Sequence, residues 1–117
     1  MELAKLKLDK FSRIKAINFP KEIDLDINLV DEKAEVIIYY IDKLEDVSDF
    51  VNLVEQSDLP SENRTIMVYK KGRKDGVNRD TIYMPFGEGK YAGYKLRAPM
   101  LCSISKELSA CVMSFNK

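Results

Sequence analysis

The chain has 117 residues, of which 45% are hydrophobic, and its formal net charge is zero. This length and composition predict one domain over residues 1–117 with a buried core. The sequence contains no apolar run near the ~20 residues that span a membrane, and its first residues lack a continuous apolar signal-peptide segment. We therefore expect a cytoplasmic protein that does not contact membranes.

Histidine is absent from the chain, and only two cysteines are present. Serine–histidine and cysteine–histidine nucleophile pairs are therefore excluded, and so are zinc sites that need histidine or four thiolates. Carboxylates, lysines and tyrosines remain as acids and bases. We expect no metal and no cofactor; whether the chain is an enzyme stays open, with a non-enzymatic protein favoured.

The first third of the chain holds one well-defined strand and two ambiguous segments. Polar and apolar residues alternate over Arg13–Phe19, which predicts a strand that stops at Pro20. Residues 3–11 fit a short strand or a short helix. Ile23–Leu29 alternates like a strand but contains aspartates, which predicts an exposed edge strand or an extended loop.

The middle of the chain predicts a strand, a crossover helix and a second strand. Glu35–Ile41 is apolar on both faces, as in a central strand. Asp42 is expected to cap the following helix, with Glu45 three positions later completing a capping box. The apolar face of this helix repeats at helical spacing through Leu44, Val47, Val51 and Val54. With a strand over Arg64–Tyr69, the segment predicts a right-handed parallel unit.

A short helix and an antiparallel hairpin complete the predicted fold. Asn78 is expected to cap a helix over residues 79–84, which Pro85 and Gly87 end. Together the elements predict a three-layer α/β domain with a mostly parallel central sheet, helices on its faces and an antiparallel hairpin at one end.

The hairpin consists of predicted strands over Lys95–Ser105 and Leu108–Phe115. Pro99 places the first of them at a sheet edge or at a bulge. A two-residue turn at Lys106 and Glu107 would set Cys102 opposite Cys111; because this pair is not one of the favoured glycine-containing turns, a longer loop is the alternative. The two thiols then either fill space as buried, reduced cysteines or form a cross-strand redox pair.

A cationic loop follows the strand at Arg64–Tyr69. Gly72 and Gly76 allow backbone conformations that aim N–H groups at an anion. A solvated surface loop is the favoured interpretation. The candidate site that the loop offers is one for phosphate, or for a phosphate-bearing small ligand such as a nucleotide, formed by Lys70, Lys71, Arg73, Lys74 and Arg79. A contact for protein or nucleic acid is the other alternative. The P-loop and dinucleotide-binding patterns are absent.

Charge is segregated along the chain, with net +4 over residues 1–21, −11 over residues 22–62 and +7 over residues 63–117. These segments either neutralise one another in the fold or form a dipolar surface that supports self-association. A homodimer or a protein partner is therefore an alternative to a small ligand. The acidic middle argues against a continuous basic groove, so nucleic acid is a disfavoured partner.

Four stretches of the chain follow one another in a recognisable order: Arg13–Pro20, Glu35–Val51, Thr65–Lys71 and Cys102–Phe115. This order resembles the C-terminal half of a class I S-adenosylmethionine-dependent methyltransferase domain. It is also similar to short uncharacterised bacterial proteins with a truncated form of that domain. The resemblance implies a Rossmann-like, methyltransferase-like fold. Asn18–Glu22 lacks the glycines of that family's cofactor turn, so the resemblance does not transfer an activity.

These observations favour a non-enzymatic binding or protein-interaction module. The alternatives are an anion- or nucleotide-binding protein that uses the cationic loop, and a degenerate methyltransferase-like protein. Asp42 follows a central strand, where α/β domains bind their ligands. It therefore has two interpretations, a helix cap or a ligand contact.

Overall fold

The structure is a computed structural model that describes residue 8 and residues 11–23, 33–88 and 100–115, apart from the side chains of Arg79 and Met100. The elements in chain order are β1 (Ile14–Ile17), β2 (Val36–Ile41), α1 (Glu45–Gln56), β3 (Arg64–Lys70), α2 (Arg79–Gly87), β4 (Met100–Ser103) and β5 (Leu108–Met113). The predictions for residues 3–11, for residues 23–29 and for residues 95–99 fall largely outside the described residues.

The five strands form one sheet in the order β1-β2-β3-β5-β4. β1 pairs with β2 and β2 with β3 in parallel, while β5 pairs with β3 and with β4 antiparallel. The α/β class, the parallel first strands, the parallel β2–α1–β3 unit and the final hairpin are thus confirmed. The sheet is parallel only in its first half, because β5 inserts between β3 and β4. β4 lies at the edge of the sheet formed by the described strands, which is one of the two positions that Pro99 predicted.

β2 is buried along its whole length, as predicted for a central strand. Its odd-numbered residues join the apolar cluster on one face of the sheet, and its even-numbered residues join the cluster on the other face. This division follows from the two-residue period of a strand. The sheet therefore separates two cores, and β2 belongs to both.

Both described helices pack on the same face of the sheet, which we call the helix face. Their buried residues there are Val47, Phe50, Val51, Val54, Ile82 and Phe86. The opposite face is covered instead by Leu8, Phe11, Phe19, Ile23 and Ile104. No helix covers this second face among the described residues, so the three-layer arrangement and the methyltransferase-like details stay predictions. Neither described helix has the length and apolarity to cross a membrane.

α2 runs through Pro85, so the predicted end of the helix at that residue is wrong. A proline inside a helix removes one backbone hydrogen bond. Ile82 and Phe86, on either side of the proline, are 0% and 2% exposed, and we attribute the continuation of the helix to this packing. The start of α2 is confirmed, because the Asn78 side chain accepts the Thr81 N–H at 3.0 Å.

The register of the β4–β5 hairpin differs by one residue from the predicted register. Cys102 pairs with Ala110, and the Ile104 N–H donates to the Leu108 carbonyl at 3.0 Å, so the turn is one residue longer than a two-residue turn. A one-residue shift moves a side chain to the other face of a sheet. Cys111 accordingly lies in the helix-face core, while Cys102 packs on the opposite face. The predicted placement of the two thiols opposite each other is wrong, and no disulfide joins them.

We expect the two cysteines to differ in reactivity. Cys111 is 2% exposed, and burial raises the pKa of its thiol to about 12, so little thiolate forms at neutral pH. In the folded protein a thiol-specific reagent should modify the half-buried Cys102 only, and a Cys102→Ser variant should not react until it unfolds. Denatured, unreduced protein should show two reactive thiols. A count near zero would contradict the observed register.

Truncation of Phe50 should show how much the helix-face core contributes to stability. Its side chain is 0% exposed, and its ring lies 5.9 Å from that of Tyr39 between centroids. Phe50→Ala should lower the free energy of unfolding by about 3–5 kcal/mol in urea denaturation. Asn52→Ala, at an exposed position of α1, is the control and should change it by less than ~0.5 kcal/mol. Equal losses in the two variants would contradict the packing of α1.

Candidate ligand-binding cleft

A cleft of about 470 Å³ opens at the carboxyl ends of β1 and β2. Its lining comes from the residues after β1, the end of β2 and the start of α1: Asn18, Phe19, Pro20, Tyr40, Asp42, Lys43 and Asp46. Open α/β sheets bind ligands at the carboxyl ends of their parallel strands, where the loops leave a crevice. The volume lies within the usual range of small-molecule sites. The cleft is therefore the candidate site that the fold itself provides.

Asn18 shapes the wall of the cleft that follows β1. Its φ of 68° is the left-handed conformation, which asparagine adopts more readily than most residues other than glycine. Its side-chain amide donates to the Tyr40 carbonyl oxygen at 2.9 Å and so ties the ends of β1 and β2 together. The segment Asn18–Glu22 contains no glycine, and Asn18 itself adopts the left-handed conformation at this turn.

Phe19 and Tyr40 form an aromatic wall, with ring centroids 5.5 Å apart and planes inclined at 51°. Tyr40 is 7% exposed, and no described residue forms a hydrogen bond with its hydroxyl. Among the described residues, every fully buried side-chain polar atom has a hydrogen-bond partner. Because the Tyr40 hydroxyl has no such partner, it is not fully buried and retains solvent contact. The open space beside Tyr40 is the cleft.

The Tyr40 hydroxyl stays protonated at neutral pH. Burial raises the pKa of Tyr40 above its ordinary value, and the negative charge of Asp42 raises it further. Arg73 acts in the opposite direction, and Glu22 adds a smaller increase to the pKa. The hydroxyl can therefore donate or accept a hydrogen bond, but it carries no charge.

The turn before α1 is closed by Asp46 and not by Asp42. One carboxylate oxygen of Asp46 accepts the N–H groups of Asp42 at 2.9 Å and of Lys43 at 3.0 Å. Leu44 is the N-cap residue and has no side-chain cap, so the predicted capping box of Asp42 and Glu45 is wrong. The helix begins at Glu45, later than predicted. The N–H groups of Asp42 and Lys43 are therefore reached by the side chain of Asp46, one helical turn after Asp42.

Arg73 joins the cationic loop to the cleft. Its guanidinium forms a short ion pair with Asp75 and lies 3.5 Å from an Asp42 carboxylate oxygen. The side-chain hydrogen bond between Arg73 and Asp75 lowers the pKa of Asp75 and raises that of Arg73. Arg73 is thus largely neutralised within its own loop. The Asp42 side chain, 70% exposed, is only weakly paired and faces the cleft.

The other predicted anion-site residues have separate surroundings. Lys70, the last residue of β3, and Lys74, within the loop, are exposed. Lys71 donates from its ammonium group to the Ser105 carbonyl oxygen at 2.7 Å, so it is held by the β4–β5 hairpin. Arg79 begins α2, and its side chain lies outside the described residues. The structure therefore directs Lys71 and Arg73 to different neighbours.

The backbone of the cationic loop has the features expected for it. Gly72 and Gly76 have φ values of 72° and 89°, where a side chain would be strained. At the start of α2, Asn78 and Thr81 form a reciprocal capping box, which leaves fewer N–H groups for an anion. The anion site stays a prediction.

The sequence pointed to one residue of the cleft, Asp42, and missed the others. Asn18 carried the same signal, a polar residue directly after a strand. Tyr40 and Asp46 carried none, since their roles depend on contacts between elements. Within the described ranges, no group of three or more acidic or cysteine residues is placed to hold a metal ion.

Comparison with protein-family models, with curated proteins and with solved structures found no match to this chain. The resemblance to a methyltransferase domain therefore stays a prediction.

Asp46 should contribute measurably to stability through the two N–H groups that it accepts. Asp46→Ala leaves both groups without this partner and should lower the free energy of unfolding by about 1–3 kcal/mol. Asp46→Asn keeps a carbonyl oxygen as acceptor and should lose less. Asp49→Ala removes an exposed carboxylate from the same helix and should change stability by less than ~0.5 kcal/mol. Equal urea midpoints for the two alanine variants would refute the closing role of Asp46.

Proposed function

We propose that this chain is a non-enzymatic binding module that takes a small organic ligand in the cleft. The observation that carries the proposal is the Tyr40 hydroxyl. It belongs to a residue that is 7% exposed, lines the cleft and has no hydrogen-bond partner among the described residues. Because the hydroxyl keeps solvent contact at the cleft, water is its partner in the free protein, and a ligand that enters the cleft can replace this water with a direct hydrogen bond.

The lining of the cleft supports the same proposal. Small-molecule sites combine apolar and aromatic surface with a few polar groups that orient the ligand. Phe19, Pro20 and Tyr40 provide the apolar surface, and the side chain of Asp42 provides an exposed acceptor. The cleft also lies at the edge of the sheet where parallel strands place their ligands.

The chemistry of the cleft favours binding over catalysis. The raised pKa of Tyr40 keeps its hydroxyl protonated at neutral pH, so it does not act as a base. The lining contains no serine, threonine or cysteine that could act as a nucleophile. Cys111 is buried on the helix face, and its raised pKa makes it unreactive.

The cationic loop is a second candidate site, for phosphate or a nucleotide. The exposure of Lys70 and Lys74 and the positive φ values of Gly72 and Gly76 support it. The resemblance to methyltransferases adds S-adenosylmethionine to the ligands worth testing. Both alternatives can be tested in the same experiment as the cleft.

A thermal-shift screen against amines, sugars, nucleosides, nucleotides, phosphate and S-adenosylmethionine tests the proposal. A ligand at 100 times its dissociation constant should stabilise the folded chain by about 2.7 kcal/mol. Tyr40→Phe removes only the hydroxyl and should reduce the shift that a cleft ligand produces. Tyr83→Phe makes the same change on the helix face and should leave that shift intact.

A Lys70→Glu/Lys74→Glu variant separates the loop from the cleft, because neither lysine lines the cleft. A shift with phosphate or nucleotides that this variant loses and Tyr40→Phe keeps would assign binding to the loop and contradict the proposal. The absence of a shift with every compound would contradict both sites.

A further inference from the structure

We infer that the ligand of the cleft is a small organic cation, namely a protonated or quaternary amine attached to an apolar group. This inference rests on the proposed function, since it names the class of ligand that the same cleft takes. Three features carry it: the charges around the cleft, the state of the amino end of α1, and the aromatic wall with its hydroxyl.

The lining of the cleft carries more negative than positive charge. Asp42 and Asp46 line it, against a single lysine, Lys43. The Asp42 side chain is 70% exposed, and its ion-pair contact is the Arg73 guanidinium at 3.5 Å. Because Arg73 shares its charge between Asp75, the shorter contact, and Asp42, it neutralises Asp42 only in part. Asp42 can therefore accept a cation from the cleft.

The amino end of α1 already holds a carboxylate of the protein itself. Helix N-termini usually attract phosphates and carboxylates, because their first N–H groups lack partners. Here the N–H groups of Asp42 and Lys43, just before the helix, are both taken by the Asp46 carboxylate. The protein's own negative charge thus occupies the position and offsets the helix dipole. The ligand class most common at such edges is disfavoured.

The aromatic wall suits a cation with an apolar body. Phe19 and Tyr40 are inclined at 51° with centroids 5.5 Å apart, and both residues line the cleft. Ring faces attract ammonium groups electrostatically, and quaternary ammonium ligands are held in this way. The Tyr40 hydroxyl has lone pairs that can accept an amine N–H. The nearby Asp42 carboxylate supplies the opposite charge.

Calorimetric titration with matched probes tests the inference. The probes are choline with the alcohol in which carbon replaces its nitrogen, and tyramine with para-propylphenol, in which carbon likewise replaces nitrogen, all at equal ionic strength. We expect the chain to bind at least one cation about tenfold more tightly than its neutral isostere. Asp42→Asn should weaken binding of that cation about tenfold and leave the isostere unchanged. Asp49→Asn removes an equal negative charge from α1, outside the cleft lining, and should change the affinity neither for the cation nor for its isostere.

Each other outcome is decisive. Equal affinity for a cation and its isostere, or equal losses in Asp42→Asn and Asp49→Asn, would overturn the cation selectivity. So would failure of both cations to bind while a neutral or anionic compound still gives a Tyr40-dependent thermal shift; in that case the proposed function survives. If no compound binds, both fail. Asp42→Glu, which keeps the charge, should retain cation binding, and this distinguishes loss of charge from damage to the fold.

Discussion

The complete burial of β2 is the constraint on which the rest of this structure depends. All six of its residues are buried, alternately in two cores on opposite faces of the sheet. Both faces must therefore be covered, one by α1 and α2 and the other by residues that precede β2 and by Ile104. Parallel pairing of β2 with β3 requires a crossover, and α1 provides it.

The cleft arises because this buried strand must end. Where β2 stops, backbone groups lose their partners in the sheet and must find others. The Asn18 amide donates to the Tyr40 carbonyl oxygen, and the Asp46 carboxylate accepts two N–H groups of the turn into α1. These polar side chains are thus occupied by the fold. The Tyr40 hydroxyl and the weakly paired Asp42 carboxylate remain at the cleft, and they are the groups that a ligand would meet.

The cationic loop illustrates why a count of charges does not define a site. Five basic residues lie close together in sequence, yet Lys71 is held by the β4–β5 hairpin and Arg73 by Asp75. The Asp75 carboxylate offsets the charge of Arg73, whereas Lys71 keeps its charge but is held beside the neutral carbonyl oxygen of Ser105. The acidic side of the cleft is less apparent in the sequence. Asp42 and Asp46 lie near the start of a helix, where capping and the helix dipole are enough to explain aspartates.

Local patterns in the sequence determined where β1, β2, α1, β3 and β5 lie, since the spacing of apolar residues reflects which faces are buried. They also determined the Asn78 cap, whose partner is three residues away. Only the tertiary structure decided the β4–β5 register, the continuation of α2 through Pro85, the role of Asp46 and the cleft itself. These features depend on distances between segments that are remote along the chain. Packing against the central strand sets those distances, and no local pattern of residues records them.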